Sequence, residues 1–329
     1  MEEETQPQPL ISPEKRGAGW IRRFSTLIGL ILICLVLTLI SNHFFSFENF
    51  INILLQNANI AVLAVGLTLV ILLGEIDLSV GGVEAFGCVV VAWMMAFGGL
   101  GVFPSILIAL LAGTLCGVVS GFFVGYFRFH SFVSTLAMMG IARGFALIYT
   151  HGASIYGLPD SFQFIGQGSI GPIPAPVVVA GAVLLIAHLL LTQFRLGNHI
   201  YAVGGNIEAA RLAGINVGRV KWLVLSMSGF CSALGGVIMA SRLNSGQGTI
   251  GETDLLDTIA SVIIGGTSLT GGVGTIPGTI VGVLVVGVIR NGLNLLGITT
   301  FWQMVAIGVI IILAVLVDEI RRGFQEKER

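Results

Sequence analysis

Apolar runs of about twenty residues recur along this chain, and each is closed by a short polar or glycine-rich break. A helix that crosses a bilayer needs ~20 mostly apolar residues. The strands of a membrane β-barrel would instead alternate over ~10 residues. The pattern therefore predicts an all-α, polytopic transmembrane bundle. Ten spans are expected, at about 25–45, 50–73, 83–97, 104–126, 131–149, 175–193, 222–241, 258–266, 276–290 and 301–317. The eighth is short enough to be re-entrant. Residues 1–19 are acidic, proline-containing and aperiodic, which predicts a disordered tail. They do not read as a secretory signal, because the polar lead is long and no small-residue cleavage site follows the apolar run.

Five breaks stand out. GEIDLSVGG at 74–82 interrupts a helical pattern, and GGTSLTGG at 265–272 resembles it. A loop rich in Gly, Pro and Ser covers 151–174, and a polar loop before the eighth span holds Glu252, Asp254 and Asp257. The longest polar interruption is 195–221. Its middle, 206–214, reads as a small helix: Asn206 caps the start, Glu208 suits the positive end of the helix dipole, and Gly214 takes the left-handed turn that ends it. So short a helix is not stable alone in water. It must rest on its own protein or on a partner.

Positive charge gives the sidedness. With both termini in the cytoplasm, Lys15, Arg16, Arg22, Arg23, Arg128, Arg195, Arg211, Arg219, Lys221, Arg321, Arg322, Lys327 and Arg329 lie inside, 13 of the 16 basic residues. Arg143 and Arg290 fall in or at the edge of spans, and Arg242 is outside. The expected organisation is a cytoplasmic tail over 1–24, a membrane domain over 25–318 with a cytoplasmic loop at 195–221, and a cytoplasmic tail over 319–329. A short internal match, GTLCGV at 113–118 with GTIVGV at 278–283, lies in spans of opposite direction, as an inverted repeat requires. The two glycine breaks fall on one side, which inversion does not allow. Either a span is miscounted or one match is chance.

Composition agrees: 55% of residues are hydrophobic and 10% charged, against ~25% charged in soluble domains. The 46 glycines suit close helix packing in lipid, and no room is left for a soluble domain. A net charge of −1 gives no footprint for nucleic acid. Cys34, Cys88, Cys116 and Cys231 lie in apolar runs without metal spacing and read as small buried hydrophobes. No zinc, serine-hydrolase or phosphate-loop motif is present. No cofactor or metal is expected on this chain, and it is not expected to be an enzyme. An ATP-driven role needs a separate ATPase to bind ATP and magnesium.

Ionisable groups at membrane depth are costly, so each is paired or functional. Glu75 and Asp77 lie in the first break; they line a solute route, or Asp77 caps a turn and satisfies freed backbone N–H groups. Arg143 calls for an acid such as Glu84. His188 reads as a packing residue. Gln56, Asn57, Asn59, Asn291 and Asn294 are candidates for lining a pathway, or for hydrogen-bonding one helix to another.

GEIDLSVGG, AVGGNIEAARLAGINV (202–217), IASVIIGGTSLTGGVGTIPGT (259–279) and NGLNLLGI (291–298) together resemble the membrane permease subunit of ribose/xylose-type sugar ABC importers. The likeness runs from about Phe45 to Asp318. It implies a bacterial inner-membrane protein with the fold of ABC importer permeases. It also implies three partners: a cytoplasmic ATP-binding-cassette ATPase, a second permease subunit (identical or related), and a soluble sugar-binding protein outside. The loop matching 202–214 would be the coupling helix, with Asn206, Glu208, Ala209, Ala210, Arg211, Leu212 and Gly214 against the ATPase. Two departures, Glu75 within the first motif and Glu84 at a family position that is usually apolar, leave the solute open. The alternative is an ion-coupled secondary transporter, for which Glu75, Asp77 and Glu84 would be the acids. An intramembrane enzyme would need a catalytic constellation, and none is found.

Overall fold

The computed structural model describes residues 14–326, which form thirteen helices and one small hairpin. Helix α1 (Glu14–Ile40) starts inside the stretch expected to be a disordered tail. The rest of that tail, and the last three residues of the C-terminal one, lie outside the described residues. Next come α2 (Phe47–Leu72), α3 (Val80–Ala96), α4 (Val102–Tyr126) and α5 (Ser131–Thr150).

The loop expected at 151–174 is not structureless. It holds α6 (Asp160–Gln167) and the hairpin β1 (Ser169–Ile170) and β2 (Ile173–Pro174). Helix α7 (Ala175–Gln193) has a proline in its first turn, where its missing N–H costs nothing. The long polar interruption folds as two helices, α8 (Arg195–Gly205) and α9 (Ile207–Leu212). Then follow α10 (Val217–Leu243), α11 (Glu252–Ile264), α12 (Ile276–Leu295) and α13 (Thr300–Glu326). Helix α11 starts six residues before the expected position, so Glu252, Asp254 and Asp257 are helical and not in a loop. Acidic side chains in a first turn complement the helix dipole.

Among the described residues, α2, α4, α5, α7, α10 and α12 are long and apolar enough to cross a membrane. Shorter apolar stretches occur at Thr26–Ile40, Val80–Ala96 and Thr300–Leu313. Helix α2 is buried on all sides from Asn57 to Leu72, as a central helix must be. Leu107, Leu111 and Leu115 on α4, and Leu185 and Ile186 on α7, are exposed, the apolar outer faces that lipid accepts.

Helix α10 packs against α2, α3, α4 and α6. Gly113, Gly117, Gly121 and Gly125 recur at every fourth position of α4, forming one face. A Cβ at Gly117 would collide with the Leu225 carbonyl of α10, and one at Gly125 with the Gly218 carbonyl. The backbones approach because these side chains are absent. We expect Gly117→Leu to force α4 and α10 apart, at a cost of ~3 kcal/mol, and to lower the thermal unfolding midpoint in detergent. Gly181→Leu on α7, where the space is open, should leave the midpoint unchanged.

The two glycine breaks lie together at one end of the bundle: Gly272 N donates to Leu72 O at 2.9 Å, and Gly74 sits against Thr270. The stretch 244–251 leads back into the bundle from the opposite end. The starts of α3 and α11 meet there, Gly81 and Gly251 each filling the space that a Cβ on the other would need. The two segments of the internal match pack on different neighbours. Gly113 and Gly117 face α10, whereas Gly278 and Gly282 face Gly265 and Ser261 of α11.

Candidate functional site

The first candidate is α8–α9, at the end that carries both breaks. Asn206 alone separates the two helices and serves both. Its backbone N–H caps α8 by donating to Ala202 O at 3.0 Å, and its side-chain Oδ1 accepts from Ala209 N at 2.9 Å to start α9. Gly214 has φ +81, the left-handed value that suits a residue without a Cβ. Its N–H donates to Arg211 O at 2.9 Å, and Ile215 N to Ala210 O at 3.0 Å, which closes the helix.

Of the coupling residues, Ala210 is buried against the protein, while Asn206, Glu208, Ala209, Arg211, Leu212 and Gly214 are exposed. Glu208 and Arg211 pair at 2.7 Å on the outer face. Beside them Leu212 is 90% exposed. This short helix is thus anchored by Ala210 and the partly buried Ile207 and displays a charge pair and an exposed leucine.

Helix α8 fastens this turn to the bundle. Gly197, Ile200 and Val203 face inward, and Tyr201 OH donates to Gly274 O at 2.8 Å. A Cβ at Gly204 would strike the Leu72 carbonyl and Gly272 N, so α8 ends against both breaks at once. Lys221, at the start of α10, pairs with Glu75 of the first break, and both side chains are largely buried. Glu75, the departure from the resembled motif, is thereby accounted for as the partner of this lysine.

Asp77 lies deeper in that break. It accepts from Ser79 N at 2.8 Å, from Ser79 Oγ at 2.6 Å and from Ser228 Oγ of α10 at 2.7 Å. It therefore caps the turn before α3 and ties it to α10. Ser131 and Thr135 of α5 accept from Ile76 N and Leu78 N at 3.1 Å each. The backbone groups freed by the break are satisfied by side chains, as membrane depth requires.

The second candidate is interior. Asn59 Nδ2 donates to Glu84 Oε1 at 2.7 Å and to Asp254 Oδ2 at 3.1 Å. Arg143 does not pair with Glu84, the acid expected for it. Its Nη1 donates to Gly248 O at 3.1 Å and lies 3.7 Å from Glu252. The return of 244–251 into the bundle brings that backbone and that acid to α5, a long-range juxtaposition no local pattern encodes.

The other polar residues singled out in the sequence lie apart from both sites. Asn57 Nδ2 donates to Ile53 O at 2.7 Å within its own helix, and Gln56 is exposed. Asn291 and Asn49 exchange hydrogen bonds at 2.7 and 3.0 Å. Asn294 accepts from Gln303 at 2.7 Å. Thr68 and Thr279, 2.8 Å apart, and Arg290 and Asp257, at 2.7 Å, join further spans. Sequence reasoning missed Asn49, Tyr201 and Ser228, and it named Lys221, Glu252 and Asp254 without giving them a partner. The available signal was charge or amide character close to apolar runs, which does not name a partner. Among the described residues no group of three or more His, Cys, Asp or Glu side chains could hold a metal ion.

Comparison with known proteins adds a family to this geometry. Residues 49–315 match the family described as "Branched-chain amino acid transport system / permease component". The chain is similar to the ribose import permease protein RbsC of Haemophilus influenzae, 43% identical over 295 residues, covering 88% of this chain and 91% of that one. It is 41% identical over 304 residues to RbsC of Escherichia coli, covering 91% and 94%. The L-arabinose ABC transporter permease protein AraH of Azospirillum brasilense is 35% identical over 320 residues, covering 96% and 94%. No solved structure matches the chain.

Proposed function

The chain belongs to the family of transport-system permease components, a membrane permease of the sugar ABC importer type and not an enzyme, and from that premise we propose that it carries a monosaccharide inward at the expense of ATP hydrolysed by a separate ATPase. The observation that carries the reading is α9: a short capped helix, seated through Ala210 and the partly buried Ile207, displaying Glu208, Arg211 and Leu212. An exposed apolar side chain flanked by a charge pair suits a groove on a partner protein.

In this reading Asn206 and Gly214 hold the ends of the coupling helix, Ala210 seats it, and Glu208, Ala209, Arg211 and Leu212 meet the ATPase. The ATPase binds ATP and magnesium, and this chain binds no cofactor. A second permease subunit and an external soluble sugar-binding protein complete the importer. Both termini and α9 are cytoplasmic. Ten crossings are made by α1–α5, α7 and α10–α13, and an inverted repeat relates α4 to α12, which carry the matching segments 113–118 and 278–283.

The substrate class follows from similarity to permeases named for ribose, arabinose, allose and xylose. Of the polar groups considered for the route, Asn59 adjoins a charged, partly open face. Gln56 lies on the same helix, one turn away. Glu75, Asp77, Asn291 and Asn294 hold spans and breaks together around the route, and Asn57 bonds within its own helix.

The test is purification of the tagged full-length chain from its own cells in mild detergent. An ATP-binding-cassette ATPase should co-purify and should be lost when Glu208 and Arg211 are exchanged for residues of opposite charge. Uptake by the purified chain alone, driven by a proton gradient, would overturn the reading in favour of secondary transport.

A further inference from the structure

Arg143 is the thirteenth residue of the twenty in α5, so it lies about 18 Å from one end of the helix and about 10 Å from the other at ~1.5 Å per residue. That is within the hydrocarbon depth. Its partner Glu252 nevertheless has a side chain that is 73% exposed. A carboxylate at that depth cannot stand against acyl chains; such groups face water-filled cavities or other protein.

The same side of α5 carries Gly140 and Gly144, one turn apart. Nothing lies within 4 Å of a Cβ built on either. Residues spaced by three and four share a helix face, so the two glycines leave open space beside Arg143 on a face that the exposed Leu136 and Leu147 continue. Thr249, exposed just before α11, adjoins Gly248, the residue whose carbonyl Arg143 binds.

Behind this face lies an incomplete hydrogen-bond set. Glu84 is fully buried and its Oε2 has no hydrogen-bond partner, and neither has Asn59 Oδ1. Asn59 nonetheless bridges Glu84 to Asp254, and Asp254 is part-exposed at the start of α11. Buried acceptors left unpaired are expensive; of this set only Asp254 reaches the surface, where a ligand hydroxyl can donate to it. Arg143 commits only Nη1 to Gly248 and Glu252, and the rest of its planar fork can donate.

We propose that the face formed by Gly140, Arg143 and Gly144 of α5, with Thr249 and Glu252 beside the start of α11, lines the water-filled solute route. It binds a small, uncharged, polyhydroxylated solute, with hydroxyl groups accepting from Arg143 and donating to Glu252 and Asp254. This rests on the permease reading and assigns its solute contacts to a face not singled out by the sequence.

The test is cysteine accessibility in the full-length chain reconstituted in proteoliposomes. Gly140→Cys, Gly144→Cys and Thr249→Cys are each treated with a membrane-impermeant, charged thiol reagent, and labelling is read as the increment over the parent. A thiol reacts as its thiolate and therefore in water. All three should label at least ten times faster than Ile186→Cys, an exposed position on the apolar face of α7. Arg143→Gln should lower uptake at least tenfold for whichever of D-ribose, L-arabinose, D-allose and D-xylose the parent transports. Labelling of Gly140→Cys and Gly144→Cys no faster than Ile186→Cys means a face covered by lipid or by protein, and overturns the proposal. Parental uptake undiminished in Arg143→Gln overturns it too. Absence of ATP-driven uptake in the parent would count against the permease reading instead, and the labelling would still decide the face.

Discussion

Leu212→Glu is expected to abolish ATP-driven uptake while leaving the amount of folded chain in the membrane unchanged. Leu212 touches almost nothing in its own protein, so its replacement removes no internal packing. Asn206 still caps α9 and Ala210 still seats it. If the leucine fills a groove on the ATPase, a carboxylate there would be buried unpaired. Loss of one central anchor costs an interface ~2–4 kcal/mol, which is roughly 30- to 1000-fold in affinity. The measurement is retention of the ATPase during co-purification, alongside uptake in vesicles. The same substitution leaving both at the parental level would remove α9 from the interface.

Lys221→Glu is expected to be nearly as damaging, for a different reason. The Lys221–Glu75 pair is largely buried and joins the start of α10 to the first break. Removing one partner of such a pair leaves an uncompensated charge at a cost of ~3–5 kcal/mol, and two facing carboxylates add repulsion. Uptake should fall to background, and the thermal unfolding midpoint should drop. Adding Glu75→Lys restores opposite charges in reversed order and should recover most of both. If the double variant is as impaired as the single one, the pair is not what joins these elements.

Together these residues describe a mechanical path. The exposed helix α9 follows directly on α8, α8 ends against Leu72 and Gly272, and Lys221 grips the first break from α10. A displacement of α9 is therefore delivered to both glycine breaks, which are the non-helical segments most able to re-pack.

Much of this was legible in the sequence because membrane spans are written in long apolar runs. The bounds of α7 match the expected span, and α4 and α5 differ by a residue or two. Asn206 and Gly214 read correctly as helix ends because capping is local chemistry. Other features were hidden. Helix α11 begins at Glu252, among acids that look like loop when only apolar periodicity is followed. The extra helix α8 sits in a stretch too polar to be a span and was passed over. The pairings Arg143–Glu252, Lys221–Glu75 and Asn49–Asn291 join residues far apart in the chain, and side-chain type alone cannot select between candidate partners. Glu84 illustrates this: its depth and cost were visible, but not that Asn59 would bind it and Arg143 would not.

The central claim is that this chain moves its solute only when a separate ATPase acts through α9. The most direct test is uptake of labelled D-ribose, L-arabinose, D-allose and D-xylose into proteoliposomes. These contain the chain with its co-purifying ATPase and binding protein, energised either by ATP or by an imposed proton or sodium gradient. Uptake of at least one sugar with ATP, none with either gradient, and none with ATP in Leu212→Glu is the predicted result. Gradient-driven uptake by the chain without the ATPase would contradict it.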